Sequence, residues 1–347
     1  MMENHMLPED PIAELLTTYN ELNSSRIEEL DEEPSPLEFM RYVSRNTPFV
    51  VRGGARDWVA TRTWDAPYLR SALAGHKVNV AVTPFGNADA PTEDGGGRLV
   101  FAKPHEEDQD FGDFLEYVIR QEQQQEGGPD REQNVEKGRD EVRYAQTQND
   151  NLRHEYITLF SEVEKSIPFA RIALERDPDA INLWIGNSRS VTALHRDNYE
   201  NVYVQIAGRK HFVLLPPLFQ PCVNEQDLQP ATYIRNQEEG ASEDGLTLRM
   251  DDAVDGEEVP TVPFATWDPD SPNVRATAYS HLAEPVRVSL GPGDMLYLPA
   301  MWYHKVSQSG SDEGICVAVN YWYDMDFSGP LYPLCSFVRN VNSSKGQ

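Results

Sequence analysis

Short apolar segments separated by turn residues recur from about Tyr144 onward, and this pattern most constrains how the chain can fold. Turn-forming residues stand between several segments, for example Ala207-Gly208 and the Gly-Pro-Gly run at 291–293. Many short strands with such turns predict a barrel or a double-sheeted jelly roll. The predicted strands are Asn182–Ile185, Tyr199–Ile206, His211–Leu215, Val286–Leu290, Met295–Leu298 and Ile315–Trp322.

The first third of the chain mixes helical periodicity with short apolar segments. A helix at Pro11–Leu22 is predicted because its apolar residues share one face and Asp10 can cap its start. Ser35 can cap a second helix in the same way. The predicted elements are helices at Pro11–Leu22, Pro36–Ser44 and Phe111–Ile119, a short helix opening at Trp64-Asp65, and strands at Pro48–Val51 and Lys77–Val82.

These patterns predict a mainly β fold with flanking helices (α+β), folded as a single globular unit. Residues 1–140 form a region of helices and strands packed on the core, 141–330 form the jelly roll, and 331–347 form a C-terminal tail. Within the tail, Leu331–Val338 is apolar enough to pack on the domain or on a partner subunit, so a homodimer is one expectation.

Two stretches interrupt the pattern of regular elements. Gln121–Arg139 is rich in Gln, Glu and Gly, and Asn236–Glu258 is strongly acidic. Neither shows apolar periodicity, so both are predicted to be mobile surface loops inserted into the domain.

The formal net charge of −27 limits the class of partner. Phosphate backbones would be repelled, so no nucleic-acid partner is expected, whereas a basic protein segment or a metal ion would be attracted. The three cysteines have no paired spacing, which predicts a reducing compartment: the cytoplasm, with the nucleus as a second location. No signal peptide precedes the first helix, and no apolar run of about 18 residues exists, so no membrane association is expected.

A candidate metal site lies at His195 and Asp197. Residues two apart on a strand point to the same face, so both side chains could bind one ion. Two histidines and one carboxylate form the facial triad of non-haem iron oxygenases. His304 follows a predicted turn and strand late in the chain and would supply the third ligand. The triplet alone also fits an ordinary His and Asp at a strand end.

Lys210 is the next candidate, at the start of the strand that follows. A hairpin there would bring its ammonium beside the metal-facing side, where it could bind the distal carboxylate of a dicarboxylic cosubstrate. Arg209 is a rival for this role, and a surface lysine at a hairpin is the structural alternative.

Several motifs together resemble the Jumonji-C family of 2-oxoglutarate oxygenases, in particular lysyl hydroxylases of the Jumonji-C domain-containing protein seven type. The resemblance covers roughly residues 36 to 330. Its motifs are His195–Asn201, Gly208–Phe212, Pro216-Pro217, Gly293–Pro299 and Val319–Met325, with weaker likeness at Pro48–Gly53 and Val142–Gln146.

The resemblance implies a cupin-like double-stranded β-helix that binds Fe(II) and the cosubstrate 2-oxoglutarate. It implies metal binding by His195, Asp197 and His304, and binding of the distal carboxylate by Lys210 with the hydroxyls of Tyr144 and Thr192. Asn201, Asn320 and Trp322 match positions that line the cosubstrate pocket. Structural roles stay open: Tyr144 as a strand aromatic, Thr192 as a turn residue, Asn201 at a strand edge, and Trp322 in the core.

The implied reaction is hydroxylation of a lysine side chain in a partner protein, with release of succinate and carbon dioxide. The likeness suggests translation-associated GTP-binding proteins as partners, and the negative charge suggests a basic target segment. Demethylation of N-methyl-lysine is an alternative, because it begins with the same C–H oxidation. A non-catalytic cupin-like binding protein is another alternative.

Overall fold

A computed structural model describes residues 10–126, 141–235, 245–253 and 259–345 of the chain. Its helices are α1 (Pro11–Leu22), α2 (Pro36–Arg45), α3 (Val59–Thr63), α4 (Ala66–Ala72), α5 (Phe111–Glu126), α6 (Pro168–Leu174) and α7 (Leu331–Lys345). Short 3-10 helices span Ile157–Glu162, Pro217–Cys222 and Ser280–Leu282.

Strands dominate the rest of the described chain. They are β1 (Glu28–Leu30), β2 (Phe49–Val51), β3 (Lys77–Thr83), β4 (Ala90–Glu93), β5 (Leu99–Lys103), β6 (His105–Asp110), β7 (Val142–Tyr144), β8 (Ala180–Gly186), β9 (Thr192–Arg196), β10 (Tyr199–Ala207), β11 (Arg209–Leu215), β12 (Glu225–Leu228), β13 (Pro230–Arg235), β14 (Leu246–Met250), β15 (Val262–Ala265), β16 (Val286–Leu290), β17 (Met295–Leu298), β18 (Tyr303–Ser309) and β19 (Cys316–Asp324).

Two sheets form the jelly roll. One sheet has the order β1-β2-β17-β10-β19-β8, and the other has the order β16-β11-β18-β9. Apart from the parallel β1–β2 pair, neighbouring strands in these two sheets run antiparallel. The predicted α+β fold with a cupin-like jelly roll is therefore confirmed.

Apolar residues fill both faces of the larger sheet, which is why its strands appear as nearly continuous apolar runs. On β10, Tyr203 packs in the cluster between the two sheets, whereas its neighbours Val202 and Val204 pack on the other face. That second face is covered by the N-terminal helices, including Phe39 of α2 and Phe114 of α5. Burying alternate residues on opposite faces fixes the strand register, since a slip of one residue would exchange the two sets.

The predicted N-terminal helices are present, and their caps explain where they begin. The Asp10 carboxylate accepts a hydrogen bond from the Ile12 amide at 3.0 Å, at the start of α1. At α2, Ser35 and Glu38 form the reciprocal bonds of a capping box. Asn46 ends α2 in the left-handed region (φ 50°), which asparagine tolerates better than most residues.

The first predicted loop, 121–139, is wrong over its first residues, because α5 continues to Glu126. Gln and Glu are good helix formers, and Gln121 is buried with two anchoring contacts. Its amide donates to the Glu141 carbonyl at 2.7 Å and accepts from Asn187 at 3.0 Å. Residues 127–139 lie outside the described residues.

The second predicted loop, 236–258, is wrong at its centre. Leu246–Met250 form β14, which pairs antiparallel with β13 through registers such as Tyr233 opposite Leu248. Half-buried and exposed residues alternate on β14, as expected for a strand at the edge of a sheet. The acidic residues on both sides of β14 obscure this alternation in the sequence. Residues 236–244 and 254–258 lie outside the described residues.

The predicted C-terminal tail is a helix up to Lys345. In α7, Cys335 and Val338 are buried, and Arg339 lies 3.2 Å from Glu225 at the start of β12. The described part of this segment therefore packs on its own chain, which is one of the two arrangements predicted. No helix in the described ranges has the length and apolar character needed to cross a bilayer.

Candidate metal centre and cosubstrate pocket

The pairing of β9 with β18 brings the two predicted histidine ligands together. His195 lies directly opposite His304, and their ring centroids are 4.1 Å apart. Asp197 follows β9, with its Oδ2 atom 3.7 Å from His195 Nε2 and 3.6 Å from His304 Nε2. One ligand atom from each of the three residues lies within 4.8 Å of the others, so one ion can contact all three.

Backbone contacts orient each ligand. His195 Nδ1 lies 2.8 Å from the Ala193 carbonyl, and His304 Nδ1 lies 3.1 Å from the Trp302 carbonyl. An Nδ1–H that donates to a carbonyl leaves the Nε2 lone pair free for a metal. The Met301 amide donates to the Asp197 carbonyl at 2.7 Å, which fixes the backbone of Asp197 just after β9 ends.

Burial also keeps one ligand in its metal-binding form. Burial, with the neighbouring His195, lowers the pKa of His304 to about 4. The imidazole is therefore neutral near pH 7, as metal ligation requires. Two neutral imidazoles and one carboxylate are the donor set of the facial triad, which leaves open positions on Fe(II). The three residues therefore fit this ion.

The second predicted constellation surrounds Lys210, which is only 2% exposed. Its ammonium donates to Tyr144 Oη at 2.9 Å and to Gln308 Oε1 at 3.1 Å. Gln308 pairs directly with Lys210 across β11 and β18, and it lies four residues after His304 on the same strand. Strand parity puts Gln308 and His304 on one face. The rival Arg209 is exposed.

No carboxylate of the described chain lies within 4.0 Å of the Lys210 ammonium. The two oxygens that accept its hydrogen bonds, Tyr144 Oη and Gln308 Oε1, are both neutral. Burial raises the pKa of Tyr144 well above its ordinary value, so this partner stays a neutral phenol. A buried cation with neutral partners only is costly. An anion that reached this ammonium would therefore be stabilised.

Trp184, whose ring centroid lies 5.9 Å from the Lys210 ammonium, connects this lysine to polar side chains of the larger sheet. Trp184 Nε1 donates to Asn320 Oδ1 at 2.8 Å, and Asn320 Nδ2 donates to Asn201 Oδ1 at 3.1 Å. Trp322 is buried and stacks on Tyr199 with ring centroids 4.7 Å apart. Its indole N–H has no hydrogen-bond partner within the described ranges.

Thr192 lies at the start of β9 and lines the cleft beside the triad. Among the described residues it makes no hydrogen bond to Tyr144 or Lys210. The structure thus brings the predicted residues into one region without joining Thr192 to the Lys210 pair.

A cleft of about 500 Å³ opens onto the triad. Two of the triad residues, His195 and Asp197, line it together with Trp184 and residues from several other elements. Charged, polar and aromatic side chains contribute to this lining: Asp89, Phe101, Gln146, Arg196, Glu225 and Phe264. A substrate side chain placed in this cleft would therefore reach the metal ligands.

Sequence reasoning missed two groups of residues at this site. Gln308 carries a usable signal, since its spacing from His304 places it on the same strand face. Trp184 lies in a predicted strand but was not assigned to the pocket. Asp89 and Gln146 lie outside the described strands and reach the cleft only through tertiary packing.

Comparisons with known proteins agree with this geometry. Residues 34–329 match the family described as cupin-like domain. The human bifunctional peptidase and (3S)-lysyl hydroxylase JMJD7 is 37% identical over 300 residues, covering 86% of this chain and 84% of the relative. The lysine-specific demethylase JMJ32 of Arabidopsis thaliana is 36% identical, covering 91% and 87%.

A third relative, JmjC domain-containing protein E of Dictyostelium discoideum, is 29% identical and covers 91% of this chain and 89% of its own length. The family match spans the jelly roll, the triad and Lys210. The chain therefore belongs to the cupin-like Jumonji-C family of 2-oxoglutarate-dependent dioxygenases.

Proposed function

We propose that this chain is an Fe(II)- and 2-oxoglutarate-dependent hydroxylase that acts on a lysine side chain of a partner protein. The observation that carries the proposal is the placement of a facial triad and a buried, anion-seeking lysine on adjacent strands of one sheet. His195, His304 and Lys210 lie on β9, β18 and β11, which are consecutive neighbours. The open cleft then leaves room for a substrate beside the metal.

In this proposal His195, Asp197 and His304 hold Fe(II), and Lys210 with Tyr144 holds the distal carboxylate of 2-oxoglutarate. Thr192, Asn201, Asn320 and Trp322 line the same pocket. When bound, iron and 2-oxoglutarate supply oxidation of a C–H bond, coupled to release of succinate and carbon dioxide. The contribution of the protein is to hold these groups in position and to limit solvent access.

Lysine is the proposed target because two relatives are both named for an activity on lysine. The human relative is named a lysyl hydroxylase and the plant relative a lysine-specific demethylase. The net charge of −27 supports a basic target segment, since it would attract cationic peptides and repel acidic ones. Likeness to the lysyl hydroxylase branch supports translation-associated GTP-binding proteins as the partner class.

Mass spectrometry of reacted peptides tests the proposal. Purified protein would be incubated with Fe(II), 2-oxoglutarate and peptides tiled across translation-associated GTP-binding proteins, each made with unmodified and with methylated lysine. We expect unmodified lysine peptides to gain one oxygen atom, and methylated peptides to keep their methyl groups. Reactions without 2-oxoglutarate serve as the matched control.

N-methyl-lysine demethylation is the second candidate, and the Arabidopsis relative at 36% identity favours it. Loss of methyl groups from methylated peptides, without oxygen gain on unmodified lysine, would replace the first proposal with this one. Hydroxylation confined to other residue types would keep the reaction class and refute lysine as the target.

A non-catalytic binding role is the third alternative, and it makes a different prediction. A binding protein would show no iron-dependent consumption of 2-oxoglutarate with any peptide. The homodimer and the cytoplasmic or nuclear location stay predictions, which light scattering and imaging of the tagged full-length chain would test.

A further inference from the structure

The cleft above the triad contains more negative charge than its own residues neutralise. Its carboxylates are Asp89, Asp197 and Glu225. Asp197 faces the metal position in the proposed site. Glu225 lies 3.7 Å from the Arg196 guanidinium and 3.2 Å from that of Arg339, so it already has two cationic partners. Asp89 is the one of these three carboxylates that has not yet been given a cationic partner.

Among the described residues, the Asp89 carboxylate has one hydrogen-bond partner, the Gln146 amide, which donates to its Oδ2 at 3.1 Å. No Lys or Arg of the described ranges lies within 4.0 Å of its carboxylate. Burial raises the pKa of Asp89, which shows that the carboxylate is partly shielded from water without full compensation. A cation that entered the cleft would offset this cost.

The loop that carries Asp89 is fixed to the strand that carries the metal ligands. Gly86 accepts a hydrogen bond from the Val191 amide at 2.8 Å, immediately before β9. A Cβ atom on Gly86 would lie 2.0 Å from the Arg189 carbonyl oxygen, so only glycine permits this approach. Asp89 itself has a left-handed backbone (φ 53°), a conformation that concentrates at functional sites.

An apolar surface accompanies the carboxylate. Phe101 on β5 and Phe264 on β15 have ring centroids 5.2 Å apart, and both line the same cleft. A lysine side chain has an aliphatic stem that packs on apolar surfaces and a charged head that seeks an anion. Aromatic rings and one uncompensated carboxylate match these two parts.

We propose that Asp89 is the specificity-determining residue that binds the ammonium group of the substrate side chain and so selects lysine in the cleft. This inference rests on the proposed function and deepens it, because it names the group that reads the target residue. The residue positions substrate and takes no part in oxidation.

The test compares two degenerate peptide libraries with identical flanks, one centred on lysine and one on norleucine, which lacks the amine. Oxygen incorporation is measured for wild type, Asp89→Asn and Glu106→Gln. Asparagine tolerates a left-handed backbone, so Asp89→Asn should fold, and thermal melting checks this. Glu106 is the matched control. Its exposed carboxylate contributes to the raised pKa of Asp89, but it does not line the cleft.

We expect Asp89→Asn to lower the preference for lysine over norleucine by about tenfold to a hundredfold, the loss typical of a charge-assisted contact. Glu106→Gln should keep the wild-type preference. The lysine-to-norleucine ratio is taken within each variant, so a general loss of activity affects both libraries equally and cancels.

A lysine preference that survives in Asp89→Asn would overturn the role of Asp89 while leaving lysine hydroxylation intact. Wild-type protein that oxidises another peptide class and neither library would overturn lysine hydroxylation, and the Asp89 proposal with it. The two failures are therefore distinguishable by the wild-type result alone.

Discussion

At the scale of single residues, His304 offers the sharpest test of the metal site. His304→Ala should abolish 2-oxoglutarate turnover and weaken Fe(II) binding strongly, because it removes a buried ligand whose Nε2 lies 3.6 Å from Asp197. Fe(II) titration followed by calorimetry, together with succinate release, measures both effects.

His211→Ala is the matched control for that prediction. His211 lies on β11 but contacts Ser289 and Ser309 at 2.7 and 2.9 Å, away from the triad. Iron affinity that falls equally in both variants would contradict the assigned ligand set, as would full turnover in His304→Ala.

Lys210 supports a second prediction at this scale. Lys210→Ala should raise the 2-oxoglutarate concentration needed for half-maximal turnover by about tenfold to a hundredfold, equivalent to roughly 1.5–3 kcal/mol for a lost contact to a charged group. Iron affinity should change little, since Lys210 donates to Tyr144 and Gln308 and not to a triad residue.

The neighbouring variant Arg209→Ala provides the control, because Arg209 is exposed. Its 2-oxoglutarate dependence should match wild type. If Arg209→Ala were impaired and Lys210→Ala were not, the roles of the two residues would be reversed.

At the scale of elements, the end of β8 depends on a glycine. A Cβ atom on Gly186 would lie 2.6 Å from the Tyr144 ring and 2.8 Å from Gln308 Nε2. Gly186→Ala should therefore displace both partners of Lys210 and raise the 2-oxoglutarate requirement in a direct titration of turnover.

Gly75→Ala is the control for backbone strain without a steric clash. Gly75 has a positive φ of 73°, and an added Cβ would meet nothing within 4 Å. It should lower thermal stability without altering the 2-oxoglutarate requirement. Equal 2-oxoglutarate titrations for Gly186→Ala and wild type would show that the pocket tolerates the added methyl group.

The sequence predicted most of the jelly roll because short apolar segments bounded by turn residues are a local property. Strand parity placed His195 and Asp197 on one face. The pairing of His195 with His304 could not be predicted this way, since the β9–β18 register depends on tertiary contacts. Asp89 was missed because its place in the cleft depends on the docking of Gly86 against Arg189.

At the scale of the whole molecule, the net charge of −27 predicts a salt effect on substrate capture. The kcat/KM for a basic peptide substrate should fall as ionic strength rises, because salt screens long-range attraction. A substrate of the same length with neutral flanking residues should show a flatter dependence. Parallel salt profiles for the two peptides would argue that charge steering contributes nothing.

The helix α7 packs against the segment that precedes β18. Its Cys335 packs in one cluster with Met301, the residue whose amide holds the Asp197 carbonyl. Because synthesis proceeds from the N-terminus, α7 leaves the ribosome after every other described element. Asp197 therefore gains this support only after translation has passed α7, and a nascent chain stopped before Leu331 would bind iron less tightly than a chain that contains α7.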